Sequence, residues 1–161
     1  MSLAAIVHEM LCGAVAAAGF GVLFNVSPRR LPLCAASGAL ALAVRTGCLE
    51  AGLNLEGASF AAALSISVAV QLLRTNMDIS PTALDVVGCI PMIPGSLAAK
   101  AILGLFATAT SSVVNSQQLV TAVQYTISVA FVIVAIGTGL AIPTLLLRLR
   151  LPLNRRRSET A

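Results

Sequence analysis

The chain has 161 residues, 58% of them hydrophobic and only 10% charged, with a mean hydropathy of +0.96. Soluble domains carry about 25% charged residues, so a core of this size cannot hide the apolar surface, and an integral membrane protein is predicted. The net charge of +4 and pI near 9.3 come without any basic domain that would bind nucleic acid.

At roughly 20 residues per crossing, the length accommodates about five spans and no sizeable soluble domain. The first predicted span covers residues 3–24. It lacks the basic leader of a signal peptide, carries His8 and Glu9 close to its start, and reads as a retained helix with those two residues at the interface. Gly13, Ala17 and Gly21 recur four apart on it, the pattern of small residues that lets two membrane helices approach closely. Turn chemistry and charge at Asn25–Arg30 end it.

The second span covers residues 31–50, with Ser37, Ala41 and Arg45 on one face and Glu50 at its end. A short hairpin over 51–57, containing Glu56, leads to a third span over 58–73, which ends at Arg74–Asp78. Ser67, Gln71 and Arg74 share one face of that third helix. The fourth span, 82–109, has Pro81 before it and Thr82 and Asp85 at capping-box spacing. A polar turn over 111–118 precedes a fifth span over 119–147, long enough to tilt or to project from the bilayer. Residues 148–161 form a basic tail. The expected fold is therefore an all-α bundle of about five transmembrane helices.

Arginine placement predicts orientation. With the Arg29–Arg30 loop in the cytoplasm, alternation also places Arg74 and the tail there, so eight of the ten basic residues lie inside. The opposite loops hold no Lys or Arg. By the positive-inside rule the N-terminus is outside and the C-terminus cytoplasmic.

The fourth span carries the most informative segment, Ile90-Pro91-Met92-Ile93-Pro94-Gly95-Ser96. Two prolines and a glycine interrupt the helix halfway across. Unpaired backbone groups in hydrocarbon cost several kcal/mol each, so such breaks persist where the backbone is buried in protein or lines a watery cavity. The half-helix resuming at Ser96 offers free N–H groups and a positive dipole end, and Lys100 adds a full charge one turn later. Pro91, Pro94, Gly95, Ser96 and Lys100 are accordingly the candidate substrate-binding residues, for a small carboxylate anion. Arg45, Glu50 and Glu56 are the candidates for ion coupling or an ion pair, with interfacial anchoring as the simpler role for Arg45 and Glu50. Ser96, Lys100, Gly104, Ala107 and Ser111 form one polar stripe, and Gln117, Thr121, Gln124 and Ser128 another. Such stripes face a bundle interior or a partner subunit.

Enzymology finds no support in the residues. No phosphate loop is present, and one histidine with scattered serines makes no nucleophile triad. Cys12, Cys34, Cys48 and Cys89 form no CxxC pair and no metal pattern, and read as packing residues, so no cofactor or metal is expected.

Three motifs resemble the threonine/serine exporter family: Gly19-Phe20-Gly21-Val22-Leu23-Phe24-Asn25-Val26 followed by Arg29 or Arg30, then Gly52-Leu53-Asn54-Leu55-Glu56 followed by Ser59-Phe60, then Ile90–Gly95. They occur in order and at matching spacing over about residues 10–147. A serine follows Asn25-Val26 where the family has a proline directly, and Lys100 matches no family motif. The resemblance implies a transporter built either as one chain with two membrane halves or as two small proteins working together. This chain looks like the separate C-terminal half. It also implies export of threonine and serine or, for the split bacterial form, of succinate and other C4-dicarboxylates across the inner membrane with a second membrane subunit. A non-transporting scaffold subunit and a homo-oligomeric channel are the alternative readings of the same polar faces.

Overall fold

The computed structural model describes residues 3–73, 81–110 and 116–150. The Arg74–Asp78 end of the third span, Ser111–Asn115 of the polar turn, the side chain of Thr82 and the tail from residue 151 lie outside the described residues. Among the described residues every regular element is helical: α1 (Leu3–Leu23), α2 (Leu31–Glu50), α3 (Leu55–Leu73), α4 (Pro81–Cys89), α5 (Gly95–Thr110) and α6 (Ser116–Arg150), with 3-10 turns at Pro28–Arg30 and Ile90–Met92. Among the described residues four helices are long and apolar enough to cross a membrane, and α4 with α5 makes a fifth crossing if the bent pair counts as one. The chain is thus an all-α membrane protein.

Helix ends follow local chemistry. Asn25, with φ of 57°, stops α1 through paired bonds from Val26 N to Gly21 O and from Asn25 N to Val22 O. This is a Schellman closure around a left-handed residue, which asparagine tolerates. Gly52, with φ of 89°, closes α2 in the same way, through Leu53 N to Cys48 O and Gly52 N to Leu49 O. The hairpin is shorter than the sequence suggested. Asn54 O already accepts the Ala58 N–H at 2.9 Å, so α3 starts at Leu55 and takes Glu56 into its first turn.

The packing rests on small residues. A Cβ placed on Gly13 would lie 2.6 Å from Gly38 O, and one placed on Gly38 would collide with Ala17 Cβ and the Gly13 backbone. Gly21 leaves room for Cys34 and Leu31. The spaced small residues of α1 therefore do bring it hard against α2. Gly139 of α6 plays the same part against Ala63 and Phe60 of α3, where Ser67 Oγ also donates to Leu140 O at 3.2 Å. Between membrane helices lipid supplies no hydrophobic driving force, so such close contacts and cross-helix bonds hold the bundle together.

Helix α2 is central, touching α1, α3 and α4. Helix α4 inserts among α1, α2 and α3, with Leu84, Asp85, Val87, Gly88 and Cys89 all buried. Asp85 therefore serves no solvent-facing cap: it is 2% exposed, and its Oδ1 has no hydrogen-bond partner. Helix α5 leaves this group and lies chiefly along α6, with Ala101 its single buried residue.

Candidate functional site

The site begins with the interruption between α4 and α5. Pro91 and Pro94 have no N–H to continue an α-helical ladder, so the chain tightens into a 3-10 turn at Ile90–Met92. Ile93 precedes a proline and is extended, with φ of −62° and ψ of 125°. Local bonds satisfy part of the break: Ile93 N to Ile90 O at 3.1 Å, Gly95 N to Ile93 O at 2.8 Å and Ala98 N to Pro94 O at 3.0 Å. The two helical limbs meet at 57°.

The Met92 carbonyl is satisfied from a distance. Arg45 of α2 donates from Nη1 to Met92 O at 3.1 Å, across 47 residues of sequence. A guanidinium and a broken-helix carbonyl would each be expensive alone in hydrocarbon, and here each answers the other. Arg45 Nε is buried without a partner, so the guanidinium retains unused donor capacity.

Arg45 lies in a cleft of about 390 Å³ lined also by Glu9, Leu42, Thr46, Leu49 and Glu50. Glu9 and Glu50 are exposed, while Arg45 is half-buried, so the carboxylates stand at the mouth and the cation deeper. Glu9 reaches this cleft from α1. The arrangement presents one fixed planar cation to a small anionic group, with acids at the entrance that disfavour indiscriminate anion binding.

Arg45 and Glu50 thus share a cleft, and Glu9 joins them from α1. Pro91 is half-buried, Pro94 buried, and Gly95 and Ser96 are exposed at the start of α5. Lys100 is placed elsewhere. It is exposed on α5, its Nζ 5.9 Å from the centre of the Tyr125 ring, within cation–π reach. There it borders a second cleft, of about 550 Å³, with Gly104, Gln117, Thr121 and Tyr125 among the other lining residues. The polar stripes of α5 and α6 therefore meet each other, through Gly104 packed on Ala122. The two clefts share no lining residue, and Glu56, half-buried, lines neither.

Sequence reasoning missed Glu9 as a cleft residue, the Met92 carbonyl as the arginine's partner, and the burial of Asp85. The register of the α1–α2 contact held one usable signal. With Gly13 against Gly38 in antiparallel helices, one turn further along puts Glu9 beside Leu42, next to Arg45.

No solved structure matches the chain. Its residues 9–146 match the family described as "Threonine/Serine exporter, ThrE". That match takes in both clefts and the interrupted helix, and it covers most of the molecule: the chain belongs to the threonine/serine exporter family.

Proposed function

We propose that the chain is the separate C-terminal membrane half of a split secondary exporter, moving a small carboxylate-bearing metabolite outward across a bacterial inner membrane. The substrate class is succinate or another C4-dicarboxylate, or threonine and serine. One observation carries this reading: the Arg45 guanidinium, with donor capacity to spare, is bonded to the backbone of an interrupted helix at an open polar cleft. A substrate carboxylate enters that cleft and takes up the guanidinium, with the Pro91–Ser96 break beside it.

The orientation has the N-terminus outside and the C-terminus in the cytoplasm, which requires α4 and α5 to make one crossing. The bend supports this. A 16-residue helix is about 24 Å long, and at 57° it still advances roughly 13 Å along the α4 direction. The partner is a second membrane subunit resembling the other half of the family. The exposed apolar surface of α5, with Ile102, Leu103 and Phe106, and the open Lys100 cleft favour it. The same surface suits a second reading, a scaffold that carries nothing and stabilises a partner transporter.

Co-purification followed by transport in reconstituted vesicles separates the two readings. The exporter reading expects outward flux of preloaded succinate or threonine. An obligate complex whose flux is unchanged when the Arg45 cleft is altered supports the scaffold. Within the exporter reading, replacing Pro91 and Pro94 together by alanine lets the helix run on and withdraws the Met92 carbonyl, so efflux is expected to be largely lost. Lys100→Gln, away from the break, is expected to reduce efflux far less. Equal losses in the two variants would place the substrate at α5 rather than at Arg45.

A further inference from the structure

The exporter reading leaves the buried carboxyl group of α4 unused. Asp85 sits in α4 at 2% exposure, amid Leu84, Val87 and Cys89 of the packed core, and its Oδ1 has no hydrogen-bond partner. Helices α1, α2 and α3 enclose α4. They bring His8, Glu9 and Cys12, then Cys34, Arg45, Cys48 and Glu50, then Glu56. None of these gives Asp85 Oδ1 a hydrogen bond. Cys89 lies one turn on in the same helix and is buried as well. Among the described residues no three His, Cys, Asp or Glu gather to hold a metal ion.

Among the described residues no hydrogen-bond partner reaches Oδ1, and proteins keep an ionised carboxylate in such a place at high cost unless it is used. Resting on the exporter reading above, we propose that Asp85 is the proton-binding group that couples transport to a proton gradient. Enclosure favours its protonated form, and water reaching the side chain when α4 moves favours release of the proton.

The fold links that movement to substrate. Asp85 and Met92 lie seven residues apart on the limb that ends in the break, and Arg45 restrains that limb by holding the Met92 carbonyl. A substrate carboxylate competing for the guanidinium frees the carbonyl, and the 57° joint is the element able to change angle. One proton taken from outside is then released inside for each excursion, while the substrate leaves in the opposite sense. The carboxyl O–H bond made on the outer side is broken on the inner one, and no other reactant is needed.

The test uses everted membrane vesicles containing the full-length chain together with its partner subunit, with succinate and threonine as probes. An acid lumen is expected to drive accumulation in the wild type. Asp85→Asn keeps the shape and removes the titration. It is expected to lose accumulation, and whatever flux remains is expected to ignore the pH gradient. Asp85→Glu is expected to restore part of the gradient response, which a merely structural role would not require. The proposal is overturned if Asp85→Asn vesicles accumulate substrate in response to the gradient as the wild type does, or if a sodium gradient drives wild-type accumulation and a pH gradient does not. Infrared difference spectra of the same membranes supply a second reading that needs no transport. A protonated-carboxyl band present in the wild type and absent from Asp85→Asn supports the site, and identical bands in both overturn it. Wild-type vesicles that move neither probe would instead count against the exporter reading, with the infrared band still deciding the proton site.

Discussion

Replacing Arg45 by glutamine is expected to lower export at least about 10-fold while the protein still accumulates in the membrane. The arginine has two tasks in the proposed cycle, holding the Met92 carbonyl and receiving a substrate carboxylate. A hydrogen bond to a charged group contributes about 1.5–3 kcal/mol, so losing the carboxylate contact alone lowers efflux roughly 10- to 100-fold. Glutamine can still donate to Met92 O, which separates loss of charge from loss of the helix break. Arg45→Lys is expected to fail nearly as badly. A lysine offers a compact point charge without the planar fork, so it cannot keep the carbonyl and engage a carboxylate in one geometry. The measurement is efflux of preloaded succinate and threonine, normalised to the amount of protein in the membrane. Wild-type efflux from both variants would remove Arg45 from the site and with it the proposed position of the substrate.

The second large effect is on assembly of the bundle. Gly38→Leu is expected to destabilise the protein by about 3 kcal/mol, the upper part of the range for overpacking a tight contact. A side chain there meets Ala17 Cβ and the Gly13 backbone rather than the movable end of a neighbour. The α1–α2 pair must separate, and separation forfeits the dispersion contacts that hold helices together where lipid offers no hydrophobic drive. Gly19→Leu and Gly47→Leu are the controls: a Cβ at either position meets nothing within 4 Å, so changes within about 0.5 kcal/mol are expected. Unfolding midpoints in a mild detergent check all three. A Gly38→Leu protein as stable as the controls would show that the α1–α2 contact is unnecessary to the fold. Because Glu9 and Arg45 reach one cleft through this pair of helices, a stable but transport-dead Gly38→Leu protein would show that their register matters to the site.

The helices were legible in the sequence because each is specified locally. Continuous apolar runs of spanning length, Asn25 and Gly52 at positions needing left-handed backbone, and prolines without an N–H act within a few residues of themselves. The interruption at Ile90–Gly95 belongs to this class, and so do the small residues Gly13, Ala17 and Gly21, whose spacing alone marks a face for close approach. Asn54 shows the limit even here, since its carbonyl starts α3 three residues before the apolar run suggested.

The partners of the charged side chains were settled only by tertiary structure. Nothing local tells Arg45 that a carbonyl 47 residues away needs a donor, nor Lys100 that it lies within reach of Tyr125 in a cleft separate from that of Arg45. The same holds for Asp85: its place near the start of a helix reads as a cap, and the enclosure by α1, α2 and α3 makes it a buried acid instead. The physical reason is one of range. Backbone conformation and hydropathy are decided by neighbours along the chain, whereas the cost of burying a charge depends on every group that packing brings around it.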